Sequence, residues 1–200
     1  MSASTLRGLM ALALALVMPA AHAHLTQTGF GEFYDGMAHL AVSPMDLLLV
    51  LAAGLLAGLA GIPAARFTVL ALPAAWLAGG LLAQRWPGLA GGEFIGLVPL
   101  VLTAALVALD ARLRPAGLRV LVVGAGLIHG AANGAAMTAA GAGALSVLGA
   151  ATAVVVFVTL LAAESTRAVA GWPRVLVRVM GSWITAAGIL MFGWLLHAAR

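Results

Sequence analysis

Apolar residues fill this chain in six long blocks, parted by short knots of arginine, proline and glycine. The blocks run over about residues 44–61, 67–84, 94–110, 118–138, 143–163 and 175–197. Each approaches the roughly 20 apolar residues a helix needs to cross a hydrocarbon core about 30 Å thick. Pro63, Pro87, Pro115 and Pro173 fall in or beside the connections, where helix breakers belong. Pro73 and Pro99 lie inside blocks, which membrane helices tolerate because neighbouring groups re-satisfy the freed backbone. The pattern predicts an all-α, polytopic membrane protein whose residues 44–200 form a six-helix transmembrane bundle.

The first 43 residues read differently. Arg7 precedes a short apolar core, Leu9 to Val17, which Pro19 breaks, and Ala21-His22-Ala23 has the form of an A-x-A cleavage site. That core is short for a span, so residues 1–23 are expected to be a signal peptide cleaved after Ala23, with His24 as the mature N-terminus. Residues 24–43 mix turn formers and aromatics (Gly29, Phe30, Gly31, Phe33, Tyr34, Asp35, Gly36) and are expected to pack on the outer face of the membrane.

Composition sharpens the class. Of 200 residues, 64% are hydrophobic and 8% charged, with a mean hydropathy of +1.12. A soluble domain carries about 25% charged residues, so the lipid bilayer is this chain's solvent. The net charge of +4 comes from ten basic residues, all arginine. They are scattered among connections rather than clustered, which argues for topology and against nucleic-acid binding. With the mature N-terminus outside, Arg66, Arg112, Arg114, Arg119, Arg167, Arg174 and Arg178 flank the inner loops, against Arg85 and Arg200 outside. This asymmetry satisfies the positive-inside rule. It implies a multi-pass protein with both mature termini outside the cytoplasm. The absence of cysteine excludes disulfides, thiolate metal sites and cysteine nucleophiles.

Small residues recur at helical spacing. Gly126, Gly130 and Gly134 form one ridge, and Gly54 with Gly58 another. Such ridges let helix backbones approach closely, within one chain or in a homo-oligomer.

The polar residues stand out against this background. His129 and Asn133 lie one turn apart in the fourth block, within Gly126-Leu-Ile-His129-Gly130-Ala-Ala-Asn133-Gly134. Polar groups at membrane depth usually face a bundle interior and mark a substrate path. The plainer reading is an interhelical hydrogen bond worth roughly 0.6 to 2 kcal/mol. Asp46 opens the first block behind Ser43 and Pro44, which reads as a capped helix start with an acid in its first turn; its two oxygens leave room for ligation as well. His39 lies in the outer segment, where a lone histidine is ordinarily incidental. A free amine at His24 would chelate a metal together with its own imidazole. Glu32 and Asp35 are nearby carboxylates, candidates for metal capture or for plain solvation. Asp110 and Glu164 are expected to pair with Arg112 or Arg167, and His197 to reach the interface. Trp76, Trp86, Trp172, Trp183 and Trp194 read as interfacial anchors. No span pairs a nucleophile with a base at a recognisable spacing, so an enzyme is not expected.

Three stretches carry a resemblance: His24-Leu-Thr-Gln-Thr-Gly-Phe-Gly-Glu-Phe-Tyr-Asp-Gly-Met-Ala-His39, Pro44-Met-Asp46, and His129-Gly-Ala-Ala-Asn133-Gly. Together they resemble the HupE/UreJ family, over essentially the whole chain. The resemblance implies a secondary permease for nickel, in some members cobalt, often associated with hydrogenase or urease maturation. Nickel-type members carry His-Pro-x-x-Gly-x-Asp-His at the first span. Here His39 and Asp46 remain, one residue further apart, and Leu47 replaces the second histidine. Their later motif resembles His-Gly-His-Ala-His-Gly-Ala-Glu, whereas Ala131, Asn133 and Ala136 stand here for two histidines and the glutamate. The chain looks like a divergent second branch of the family.

The expectation is import of a divalent transition metal, nickel first and cobalt next, with no permanently bound cofactor. His24, Asp35 or His39 would gather the ion, Asp46 would take it at the mouth, and His129 with Asn133 would hold it. Imidazole and carboxylate ligands suit such ions. Inward passage of a divalent ion gains about 4.6 kcal/mol per 100 mV, twice the single-charge value. The alternative is a non-transporting membrane scaffold for metalloenzyme maturation, in which His129 and Asn133 are packing groups.

Overall fold

A computed structural model of the protein describes residues 27–168 and 170–198. Among these residues the chain forms seven α-helices and no strand. They are α1 (Glu32–Val42), α2 (Pro44–Leu59), α3 (Ile62–Arg85), α4 (Glu93–Ala108), α5 (Pro115–Ala139), α6 (Ala144–Thr166) and α7 (Gly171–Ala198). A 3-10 turn, Pro87–Ala90, leads into α4. The expected signal peptide and His24 fall outside the described residues.

Five elements are long and apolar enough to cross a membrane: α3, the 3-10 turn with α4, α5, α6 and α7. A sixth arises if α1 and α2 count as one span, bent by 79° at their junction. The segment before the first apolar block is therefore more ordered than its turn formers suggest. Gly29 and Gly31, both at positive φ, end the irregular stretch, and Glu32–Val42 then runs as a helix with acids in its first turn. Pro44 makes the bend. A residue before proline is driven out of the α region, and Ser43 accordingly sits at φ −92°, ψ 98°. Pro63 and Pro115 lie in the first turns of α3 and α5, where a missing N–H costs nothing, so these helices start earlier than their apolar blocks.

Lipid offers no hydrophobic drive between helices, so close backbone approach has to hold the bundle together. α3 and α5 show this most clearly. A Cβ on Gly130 would collide with the Trp76 carbonyl, and one on Gly134 with the Gly80 carbonyl. One on Gly126 would lie 2.8 Å from the Leu72 carbonyl oxygen. Gly54 and Gly58 bring α2 equally close to Leu161 and Ser165 of α6. α1 lies on α6 through Gly36 and Gly149, each against a carbonyl of the other helix. α7 packs mainly on α4 and is the least enclosed of the spans.

The α2–α3, α4–α5 and α6–α7 connections share one end of the bundle, the end with the arginine-rich flanks. There Asp110 pairs with Arg174, Nε to Oδ2 at 2.8 Å and Nη2 to Oδ1 at 2.7 Å, rather than with Arg112. Glu164 does pair with Arg167, at 3.0 Å.

Candidate functional site

α2 has 16 residues and is about 24 Å long at 1.5 Å per residue, short of a 30 Å core. Its first turn therefore starts inside the bundle. His129 lies on α5 ten residues before the helix ends at Ala139, about 15 Å along the axis. Asp46 in the first turn of α2 and Gly96 in the first turn of α4 both reach it. Two helix N-termini thus begin at the depth of His129, and their positive dipole ends favour a carboxylate there.

The polar contacts form one closed set. His129 Nδ1 lies 2.7 Å from Asp46 Oδ1. His129 Nε2 donates to the Gly96 carbonyl at 2.9 Å. Asn133 Nδ2 donates to Asp46 Oδ2 at 2.7 Å. Each of the two buried ionisable groups is thus hydrogen-bonded, which lowers the penalty of burying them in a membrane bundle. The Trp76 ring lies 5.6 Å from the imidazole, tilted by 36°, and closes its other side. Two buried polar atoms here have no hydrogen-bond partner, Asn133 Oδ1 and Trp76 Nε1.

This cluster floors a cleft of about 1050 Å³. α5 forms one side, through Ile128, Ala132 and Ala136; the C-terminal part of α7 faces it with Met191, Trp194 and Leu195. The α1–α2 elbow and residues 90–93 complete the rim.

The expected metal residues separate into groups. Asp46, His129 and Asn133 come together. His39 is buried, lines the same cleft and lies 3.4 Å from Ser43 Oγ through Nε2. Asp35 stands apart: its Oδ1 accepts from the backbone N–H and hydroxyl of Thr28, both at 2.6 Å. Glu32 accepts from the Gly143 N–H at 3.2 Å. Among the described residues no three His, Asp or Glu side chains converge as a metal-ligand set.

Two sequence expectations change. Ser43 occupies the N-cap position of α2 without a side-chain cap bond, and both Asp46 oxygens go to α5. Trp76 is fully buried against His129 and is no interfacial anchor. Sequence reading missed three participants. The Gly96 carbonyl carries no sequence signal, since any residue has one. Trp76 could have been found as a tryptophan midway along a span, three residues after Pro73. Glu93, an acid directly after Gly91-Gly92, lines the rim.

The architecture and the buried cluster define a polytopic α-helical membrane protein with a polar centre opening into a cleft. The family described as HupE / UreJ protein matches residues 12–191. The chain belongs to that HupE/UreJ family. Neither a curated protein nor a solved structure matches it.

Proposed function

We propose that this protein is a secondary permease importing a divalent transition metal, nickel first and cobalt next, across a bacterial inner membrane. The observation that carries the reading is the buried Asp46–His129–Asn133 cluster at the floor of an open cleft. A cluster needed for packing alone has no reason to border a cavity of this size. A buried carboxylate beside an imidazole is donor chemistry suited to these metals. His39 on the cleft wall and Glu93 on its rim supply further donors along the approach. Membership in the HupE/UreJ family supports the same reading.

The test is radiometal accumulation by cells producing the wild type, Asp46→Ala and His129→Ala at matched membrane levels. Loss of accumulation in both variants is expected. Equal accumulation by all three would reject this site. Wild-type protein in liposomes that moves no metal would favour the scaffold reading.

A further inference from the structure

α2, α3, α5 and α4 form a closed ring, each helix against the next. All four give a group to the cleft floor: Asp46, Trp76, His129 and the Gly96 carbonyl. One turn toward the arginine-rich end, the same faces carry Leu49, Leu72, Ala125 and Leu100. These four pack in one apolar cluster, none more than 3% exposed. A further turn down, polarity returns. Thr103 lies seven residues after Gly96, on the same face of α4 and about 10 Å along it. Gly126 meets the Leu72 carbonyl, which sets the register of α3 against α5. Thr68, one turn before Leu72, is therefore level with Val122, seven residues before His129. α4 runs toward the arginine-rich end, and α3 and α5 run away from it, so the two threonines share one depth on opposite sides of the ring.

Thr68 is 0% and Thr103 2% exposed, and neither hydroxyl has a hydrogen-bond partner. Thr138, Thr152 and Thr185 show the ordinary alternative, each donating to the carbonyl four residues back in its own helix. An unpaired hydroxyl in a bundle core is costly. Two at one depth, in line beneath a polar cleft floor, are more than packing requires.

We infer that the axis of this ring is the transport route and that Thr68 and Thr103 form its inner station, offering hydroxyls to a divalent cation and the water it carries. A hydroxyl both donates and accepts, which suits metal-bound water as well as the metal itself. The apolar layer between the two stations is the gate, closed while the outer cleft is open. Such a constriction passes an ion only when it widens and wets. This inference rests on the permease reading and adds the inner half of its path.

The experiment uses the full-length protein in liposomes with radiolabelled nickel. Thr68→Val with Thr103→Val deletes both hydroxyls at nearly constant shape. Uptake is expected to slow by about tenfold or more, the loss typical of hydrogen bonds to a charged partner. Nickel binding to the outer cluster and the melting temperature should not fall, because valine strands no polar group. Thr68→Ser with Thr103→Ser should keep uptake. The chain has no cysteine, so Thr103→Cys and Ala162→Cys each carry a single thiol. Ala162 is 1% exposed on the α2–α6 seam, outside the ring. A charged thiol reagent present on both sides during uptake should label T103C and leave A162C unreacted. Wild-type uptake by the double valine variant, equal loss in the double serine variant, or equal labelling of the two cysteines would each overturn the inference and leave the permease reading standing. A wild type that moves no nickel would overturn both.

Discussion

Asp46 Oδ1 and His129 Nδ1 lie 2.7 Å apart although 83 residues of chain separate them. The contact ties the first turn of α2 to the middle of α5, and Asn133 adds a second strand to the same tie. Removing one partner of a buried pair strands the other. Asp46→Ala is therefore expected to destabilise the protein by about 3–5 kcal/mol. Replacing the whole cluster with leucines (D46L, H129L and N133L together), which keep a branch at the γ position of Asp and Asn, strands no ionisable side chain. The triple variant should stay within about 1–2 kcal/mol of the wild type and yet accumulate no metal. Unfolding in detergent, read beside uptake, checks both halves. A triple variant as unstable as Asp46→Ala would mean the cluster is there to hold the bundle.

Asn133→Asp sets a second carboxylate against Asp46 Oδ2, where the amide now donates at 2.7 Å. Two carboxylates at that distance repel unless a proton or a cation sits between them. N133D should melt below the wild type in the absence of metal and recover when nickel is added. A ligand bound only by the folded state stabilises by about 2.7 kcal/mol at a hundred times its dissociation constant. A thermal-shift series over nickel, cobalt and magnesium would show it; identical curves with and without metal would contradict it.

Much of the fold was legible in the chain, for a physical reason. Each span must satisfy its own backbone inside lipid, so an apolar block of sufficient length is close to a helix assignment. The misses lie where that argument stops. Residues Glu32–Val42 are a helix because α6 presents Gly149 to Phe33 and α1 presents Gly36 to Ser146, a fit between distant segments. The site shows the same division. His129, Asn133 and Asp46 stood out as polar residues in an apolar setting. That Asp46 serves α5 rather than its own helix end depends on α2 starting deep in the bundle, and composition says nothing about depth.

The tight α3–α5 seam predicts opposite outcomes for two glycines on one helix. A Cβ at Gly130 would collide with the Trp76 carbonyl, whereas one at Gly124 meets nothing within 4 Å. Gly130→Ala should cost about 1–3 kcal/mol through overpacking. Since Trp76 shields His129, the change should also reduce uptake. Gly124→Ala should be neutral, or stabilise by roughly 0.5–1 kcal/mol through helix propensity. Paired melts of the two variants decide; equal destabilisation would mean that helix dynamics, not contact, sets the glycine requirement.

At the opposite end of the bundle, Asp110 combines an ion pair with an uncommon backbone. It sits at φ 53°, just past α4, in a helix-ending turn closed by Ala111 N–H to the Leu106 carbonyl at 2.9 Å. Bidentate hydrogen bonding from Arg174 holds its carboxyl below the usual carboxylate range, with Arg178 and Arg112 adding to the effect. A carboxylate with a depressed folded pKa contributes stability above its unfolded pKa of about 3.9 and loses it as pH falls through the folded value. The contribution is modest, no more than about 1 kcal/mol, because the pair is partly wetted and screened by salt. Asp110→Asn keeps a side chain that tolerates the left-handed backbone and deletes the charge. It should melt slightly below the wild type at neutral pH, and the gap should close at pH values below the folded pKa and in high salt. Asp110→Gly relaxes the backbone as well and should lose less than Asn. Melting curves of the three proteins across acid and neutral pH check the order. A gap between wild type and Asn that persists unchanged in acid would show that Arg174 is held by something other than the Asp110 charge.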